Sequence, residues 1–145
     1  MTASTIQPRA LLQLGGSTVI EHLAGEQTGG AIALIEFRIE PGYPVPPAHV
    51  HEREDEITYV IEGALEVTIG DEARTVHAGE SVFKPRGVPH AFAIAGKQHV
   101  RFLETVTPAG FEGYFRAVAA AVRDTGRLDR EAANQLMAEY GVRNA

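Results

Sequence analysis

The chain contains no cysteine. That absence removes disulfide bridges, thiolate metal ligands and cysteine nucleophiles together. Basic residues are also in deficit: 13 Lys and Arg stand against 19 Asp and Glu, a formal charge of −6 at pH 7. A surface of that sign repels phosphate backbones and anionic lipid, so neither nucleic acid nor membrane is an expected partner. No apolar run approaches the ~20 residues of a membrane span. The opening segment Met1–Pro8 lacks the basic head and apolar stretch of a secretion signal, so the expected location is cytoplasmic. There is no internal repeat and no low-complexity segment. What remains is 145 residues, 44 % hydrophobic and 22 % charged, enough for one domain with a core that needs no staples. Six histidines direct attention to imidazole chemistry.

Glycine punctuates the first two-thirds of the chain: Gly15-Gly16, Gly29-Gly30, Gly42, Gly63, Gly70, Gly79, Gly87 and Gly96. Between these marks lie short runs rich in β-branched and aromatic residues. The spacing predicts strands over Ile32–Glu40, Ile57–Glu62, Leu65–Ile69, Ala73–His77, Ser81–Lys84, His90–Ile94 and His99–Val106. Gly70-Asp71 reads as a hairpin turn. Many short strands at near-regular spacing indicate an all-β sandwich or barrel. Ile57, Tyr59 and Ile61 alternate with Thr58 and Val60, and neither set is clearly polar. One face therefore lines an interior, and the other needs covering by the chain's own tail or by a second copy; a homodimer is expected.

The pattern changes after Pro108. Phe111, Phe115, Val118 and Val122 form one helix face, and a second helix is expected after an Asp129 N-cap, with Gly141 closing it. The expected organisation is a β-barrel over residues 1–107 and a helical extension over 108–145, packed on the barrel or on a partner subunit.

Chemistry concentrates between Pro41 and Glu56. His49 and His51 are two apart, so on a strand both imidazoles face one point. Glu56 opens the next strand after an acidic turn, and Asp55 beside it is the rival carboxylate. Much later, Pro85-Arg-Gly-Val-Pro-His90 sets another histidine at a strand start, its approach fixed by two prolines and a glycine. Three imidazoles and a carboxylate make a site for one divalent first-row metal: iron, nickel, manganese, cobalt, copper or zinc. His22, His77 and His99 stand outside this pattern.

Taken together, these residues resemble the two motifs of the cupin superfamily. Gly42, His49, His51, Glu56 and Gly63 match the first motif, and Gly79, Pro85, Gly87 and His90 the second. The likeness spans roughly Ile32 to Val106. This sequence has one extra residue between Gly42 and His49, and Ile94 stands where an asparagine often closes the second motif. The resemblance implies a double-stranded β-helix, the cupin jelly-roll barrel, followed by a short pair of helices. It assigns His49, His51, Glu56 and His90 as metal ligands.

A ligand set of this kind leaves positions open for a small molecule. Val60, Phe83, Phe92, Ile94 and Phe102 lie on strands around the motifs and are expected to line an apolar pocket, suited to a flat aromatic substrate. The acidic turn and the segment Pro108–Phe111 before the helices are similar to the quercetinase-like group of small bacterial cupins. That likeness implies an oxygen-dependent dioxygenase acting on a flavonol-like or other enol- or phenol-bearing aromatic, with Glu56 as proton acceptor. The same site would also serve a metal-dependent cyclase of aromatic polyketides, or a small-molecule sensor without turnover.

Overall fold

Burial with a period of two defines the strands and decides which residues face inward. The computed structural model describes residues 5–14 and 16–145; Met1–Ser4, part of the opening segment, and Gly15 lie outside the described residues. The elements are β1 (Arg9–Leu14), β2 (Ser17–Leu23), α1 (Gly25–Thr28), β3 (Ala33–Ile39), β4 (His49–His51), β5 (Asp55–Glu62), β6 (Ala64–Ile69), β7 (Glu72–His77), β8 (Ser81–Lys84), β9 (His90–Ile94), β10 (Val100–Thr107), α2 (Glu112–Thr125), α3 (Arg130–Glu139) and β11 (Val142–Asn144). They form two antiparallel sheets, ordered β1-β2-β3-β10-β5-β8 and β11-β4-β9-β6-β7. This is the all-β jelly roll, with two C-terminal helices.

On β10, Val100, Phe102, Glu104 and Val106 are buried while the residues between them are less so. On β5, Glu56, Thr58 and Val60 are buried while Ile57 and Tyr59 face out. One end of the barrel is filled by Ile39, Val60, Leu65, Val67, Val76, Val100 and Phe102. Near that end β5 turns into β6 at Gly63, with φ of +75°; a Cβ there would stand 2.5 Å from the His99 carbonyl oxygen, so only glycine fits. The Gly70-Asp71 connection joins β6 to β7 as a two-residue hairpin, with Ile69 opposite Glu72.

The tail folds back over the other end of its own barrel. Phe111 and Val142 join Ala33, Ile35 and Val106 in a second core, with Tyr114, Phe115, Met137 and Tyr140 packed against it. Asp129 caps α3 by accepting from the Ala132 amide at 2.8 Å. Beyond Gly141 the chain does something the helical extension read from the sequence did not include. Val142–Asn144 is a strand, and it pairs with β4: Val142 opposite His51, Arg143 opposite Val50, Asn144 opposite His49. The last residues thus belong to the barrel. The outer face of β5 and β8 stays uncovered by this tail, exposing Ile57 (39 %), Tyr59 (45 %) and Phe83 (55 %). Among the described residues, no helix is long and apolar enough to cross a membrane.

Candidate metal centre

β4 and β9 meet through the single residue pair His49 and His90, which brings three imidazoles to one place. Ring centroids are 5.1 Å apart for His49 and His51, 4.6 Å for His49 and His90, and 5.4 Å for His51 and His90. One nitrogen from each ring lies within 4.8 Å of the others. Neighbouring groups fix the rings. His49 Nδ1 donates to the Pro47 carbonyl at 2.8 Å, and His51 Nδ1 sits 2.6 Å from Glu54 Oε1. Both contacts leave Nε2 as the inward atom, the usual way a protein orients a ligating imidazole. Burial pushes the His49 imidazole down to about 4, so the ring is neutral near pH 7.

Glu56 enters from the first inward position of β5. Its Oε2 is 3.1 Å from His90 Nε2, and its Oε1 is 3.5 Å from His51 Nε2. Burial works to raise its pKa, yet Lys84 and the adjacent imidazoles outweigh that and hold it below the ordinary carboxylate range. Asp55, the alternative carboxylate, faces the other way. Its Oδ1 accepts from the Arg86 amide at 2.8 Å, and its Oδ2 lies 3.2 Å from the Arg86 guanidinium. It braces the turn after Pro85, which also donates from the Gly87 amide to the His51 carbonyl at 2.8 Å.

The histidines fit a metal on one further observation. His51 Nε2 and both nitrogens of His90 are buried and make no well-directed hydrogen bond among the described residues, although His90 Nε2 lies 3.1 Å from Glu56 Oε2. A buried polar atom left unpaired costs about 1–3 kcal/mol. Three imidazole nitrogens beside a carboxylate are the donors a first-row divalent ion takes.

A cavity of about 310 Å³ opens from these residues towards the helices. Phe37, Phe92, Phe102, Phe111 and Phe115 wall it, and Tyr43, Pro44, Val118 and Met137 also line it. Phe37 stacks on Phe102 at 4.9 Å, and Phe111 meets His51 edge to face at 4.5 Å.

Of the five pocket residues named from the sequence, Phe92 and Phe102 line this cavity. The other three need correction. Val60 belongs to the filled end of the barrel, and Ile94 packs against that same core. Phe83 is on the outer sheet face, 55 % exposed. The residue that points inward is its neighbour Lys84, because adjacent strand residues face opposite sides.

Lys84 and Glu104 are the site residues that sequence reasoning missed. Lys84 Nζ is 2.7 Å from Glu104 Oε1 and 3.3 Å from Glu56 Oε2, and Thr58 donates to Glu104 Oε2 at 2.8 Å. Burial and the Glu56 charge push Glu104 up to about 7, against the pull of Lys84. The signal was available: Glu104 is two residues from Phe102 and shares its face. His22 and His99 lie elsewhere, bonded to Glu36 at 2.9 Å and Glu62 at 2.7 Å, and His77 is exposed.

Residues 35–106, which hold all four candidate ligands, match the cupin domain family. Solved structures of like fold include an RmlC-like cupin from Shewanella frigidimarina, with a TM-score of 0.60 at 20 % identity over 74 % of this chain and 89 % of that one. A protein described as a predicted oxalate decarboxylase from Thermotoga maritima gives 0.61 at 21 % identity, over 74 % and 99 % of the two chains. KdgF from Halomonas sp. gives 0.58 at 23 % identity, over 68 % and 84 %. At these identities the likeness is one of fold. No curated protein matches the chain.

Proposed function

We propose that the chain is a metal-dependent enzyme that cleaves a small enol- or phenol-bearing aromatic compound, flavonol-like in its chemistry, with dioxygen. The observation that carries this reading is the cavity itself: phenylalanine walls over a polar floor of His49, His51, His90, Glu56, Lys84 and Glu104. Its volume of about 310 Å³ is at the lower end for ligand pockets, so a substrate of one to three rings is the expected size.

His49, His51, His90 and Glu56 would hold the metal. A divalent ion there supplies Lewis acidity toward an oxygen substrate and, if redox-active, a route for electrons to dioxygen. The side chains do the rest. Glu54 keeps His51, and Pro47 keeps His49, in one tautomer. The phenylalanines exclude water and align a flat ring. Glu56 accepts the proton of the substrate hydroxyl, and the lysine at 3.3 Å steadies its charge before and after. Both atoms of dioxygen end in the cleaved products, so no external reductant is needed.

Oxygen uptake by the metal-loaded protein over a panel of flavonols and catechols tests this reading. Substrate-dependent uptake is the expected result. Turnover that proceeds unchanged without oxygen would replace it with the cyclase, and binding without turnover would replace it with the sensor.

A further inference from the structure

One buried cation sits on the floor of the cavity. Lys84 is 5 % exposed and points inward from the last residue of β8. An ammonium offers three donors. Glu104 and Glu56 are its ionic partners among the described residues, at 2.7 and 3.3 Å. The neighbouring arginines are committed elsewhere: Arg86 to Asp55, Arg38 and Arg101 to Glu36. Arg38 also lines the cavity, but it is exposed and paired to Glu36, so Lys84 is the buried cation at the floor of the site.

Leaving the imidazoles aside, the floor holds one positive and two negative formal charges. A divalent ion on the histidines and Glu56 makes it net positive, whether or not Glu104 carries a proton. The phenylalanine walls supply no counter-charge. An unbalanced charge in such surroundings is costly, so an anion belongs in this cavity.

We propose that Lys84 anchors the substrate, and that the substrate class is an aromatic organic anion presenting a carboxylate, enolate or phenolate oxygen to its Nζ. The inference rests on the metal-dependent reading above and narrows it. Glu104 and Glu56 hold the ammonium in place beforehand, so its ordering is complete before a ligand arrives. A single ammonium suits one oxygen anion. The residues lining the cavity include no second buried cation of the kind that a phosphate ester recruits.

The test uses the full chain loaded with zinc, which is redox-inert. Calorimetric titration with benzoate is compared with benzamide, its neutral isostere, for the parent, for Lys84→Met and for Lys84→Met with Glu104→Gln. The double variant removes the paired charges together, which keeps the test valid if the single variant misfolds. The parent is expected to prefer benzoate. Both variants are expected to keep zinc and benzamide binding while benzoate affinity falls about ten- to a hundredfold, the range of a hydrogen bond to a charged group. A zinc-loaded double variant with parental benzoate affinity would overturn the anchoring role alone. A parent that binds zinc but does not prefer benzoate would overturn the substrate class alone. A parent that binds no zinc would overturn the metal reading beneath both.

Discussion

Asp55 and Glu56 are adjacent acids with opposite roles. The pleat sends Asp55 out to Arg86 and Glu56 in to the imidazoles. Replacing Glu56 by glutamine keeps the size and an oxygen donor but removes the base. Glu56→Gln is expected to retain part of the metal and to lose about 10²–10⁴-fold in turnover, measured by oxygen uptake. Acid titration bears on other residues of the site. In metal-free protein His49 takes up a proton only near pH 4, whereas in the unfolded chain it does so near 6.5. The stability it contributes is complete above pH 6.5 and falls by on the order of 3 kcal/mol as pH drops to about 4. Glu104 acts in the opposite sense. Its folded pKa of about 7 exceeds the ordinary 4.5, so its contribution is complete below pH 4.5 and is lost as pH rises through about 7. Above the range in which depressed carboxylates such as Glu56 lose their contribution, removing Glu104 leaves the slope to the histidine. Metal-free Glu104→Gln is expected to lose stability steadily from pH 6.5 to 4.5 in denaturant titrations, and a flat profile there would contradict the buried neutral His49.

At the scale of elements, β3 and β5 to β10 are legible in the sequence to within a residue or two. Their alternation is local, and glycines mark their ends. The ligand strand β4 is legible for a different reason: His49 and His51 share a face whatever pairs with it. The cavity is less legible, because its lining depends on phase. Expecting Phe83 to face the pocket inverts the phase of β8 by one residue, and an apolar side chain at an exposed position gives no local warning. β11 is hidden for another reason. Val142-Arg143-Asn144 has no periodicity of its own and becomes a strand only by pairing with β4. That pairing matters to the site, since β4 meets β9 through one residue pair and β11 through three. Gly141 makes the return possible through its φ of +71°, which residues with side chains rarely adopt; a Cβ there would stand 2.7 Å from Arg53 Nε and displace that side chain. Gly141→Ala is expected to lower stability by more than about 1 kcal/mol in denaturant titrations. It should also weaken metal binding by loosening His49 and His51. Parental metal affinity in that variant would mean β11 does not position the site.

Across the whole molecule, the tail and the outer sheet divide the work of covering apolar surface. The helices line part of the cavity, and they leave Ile57 opposite Phe83, with Tyr59 beside them, exposed on the sheet of edge strand β8. A second copy is the expected cover. Phe83→Lys with Tyr59→Lys is expected to turn a dimer into a soluble, folded monomer by light scattering, while a parent that is monomeric at micromolar concentration would contradict the expectation. The cavity lies on the other side of that sheet, and its floor includes the three-histidine cluster. Elemental analysis of protein purified without added metal tests that cluster most directly. About one first-row transition-metal ion per chain is expected in the parent and essentially none in His49→Ala with His51→Ala, provided circular dichroism shows both folded. Equal metal content in the two proteins would contradict the metal site.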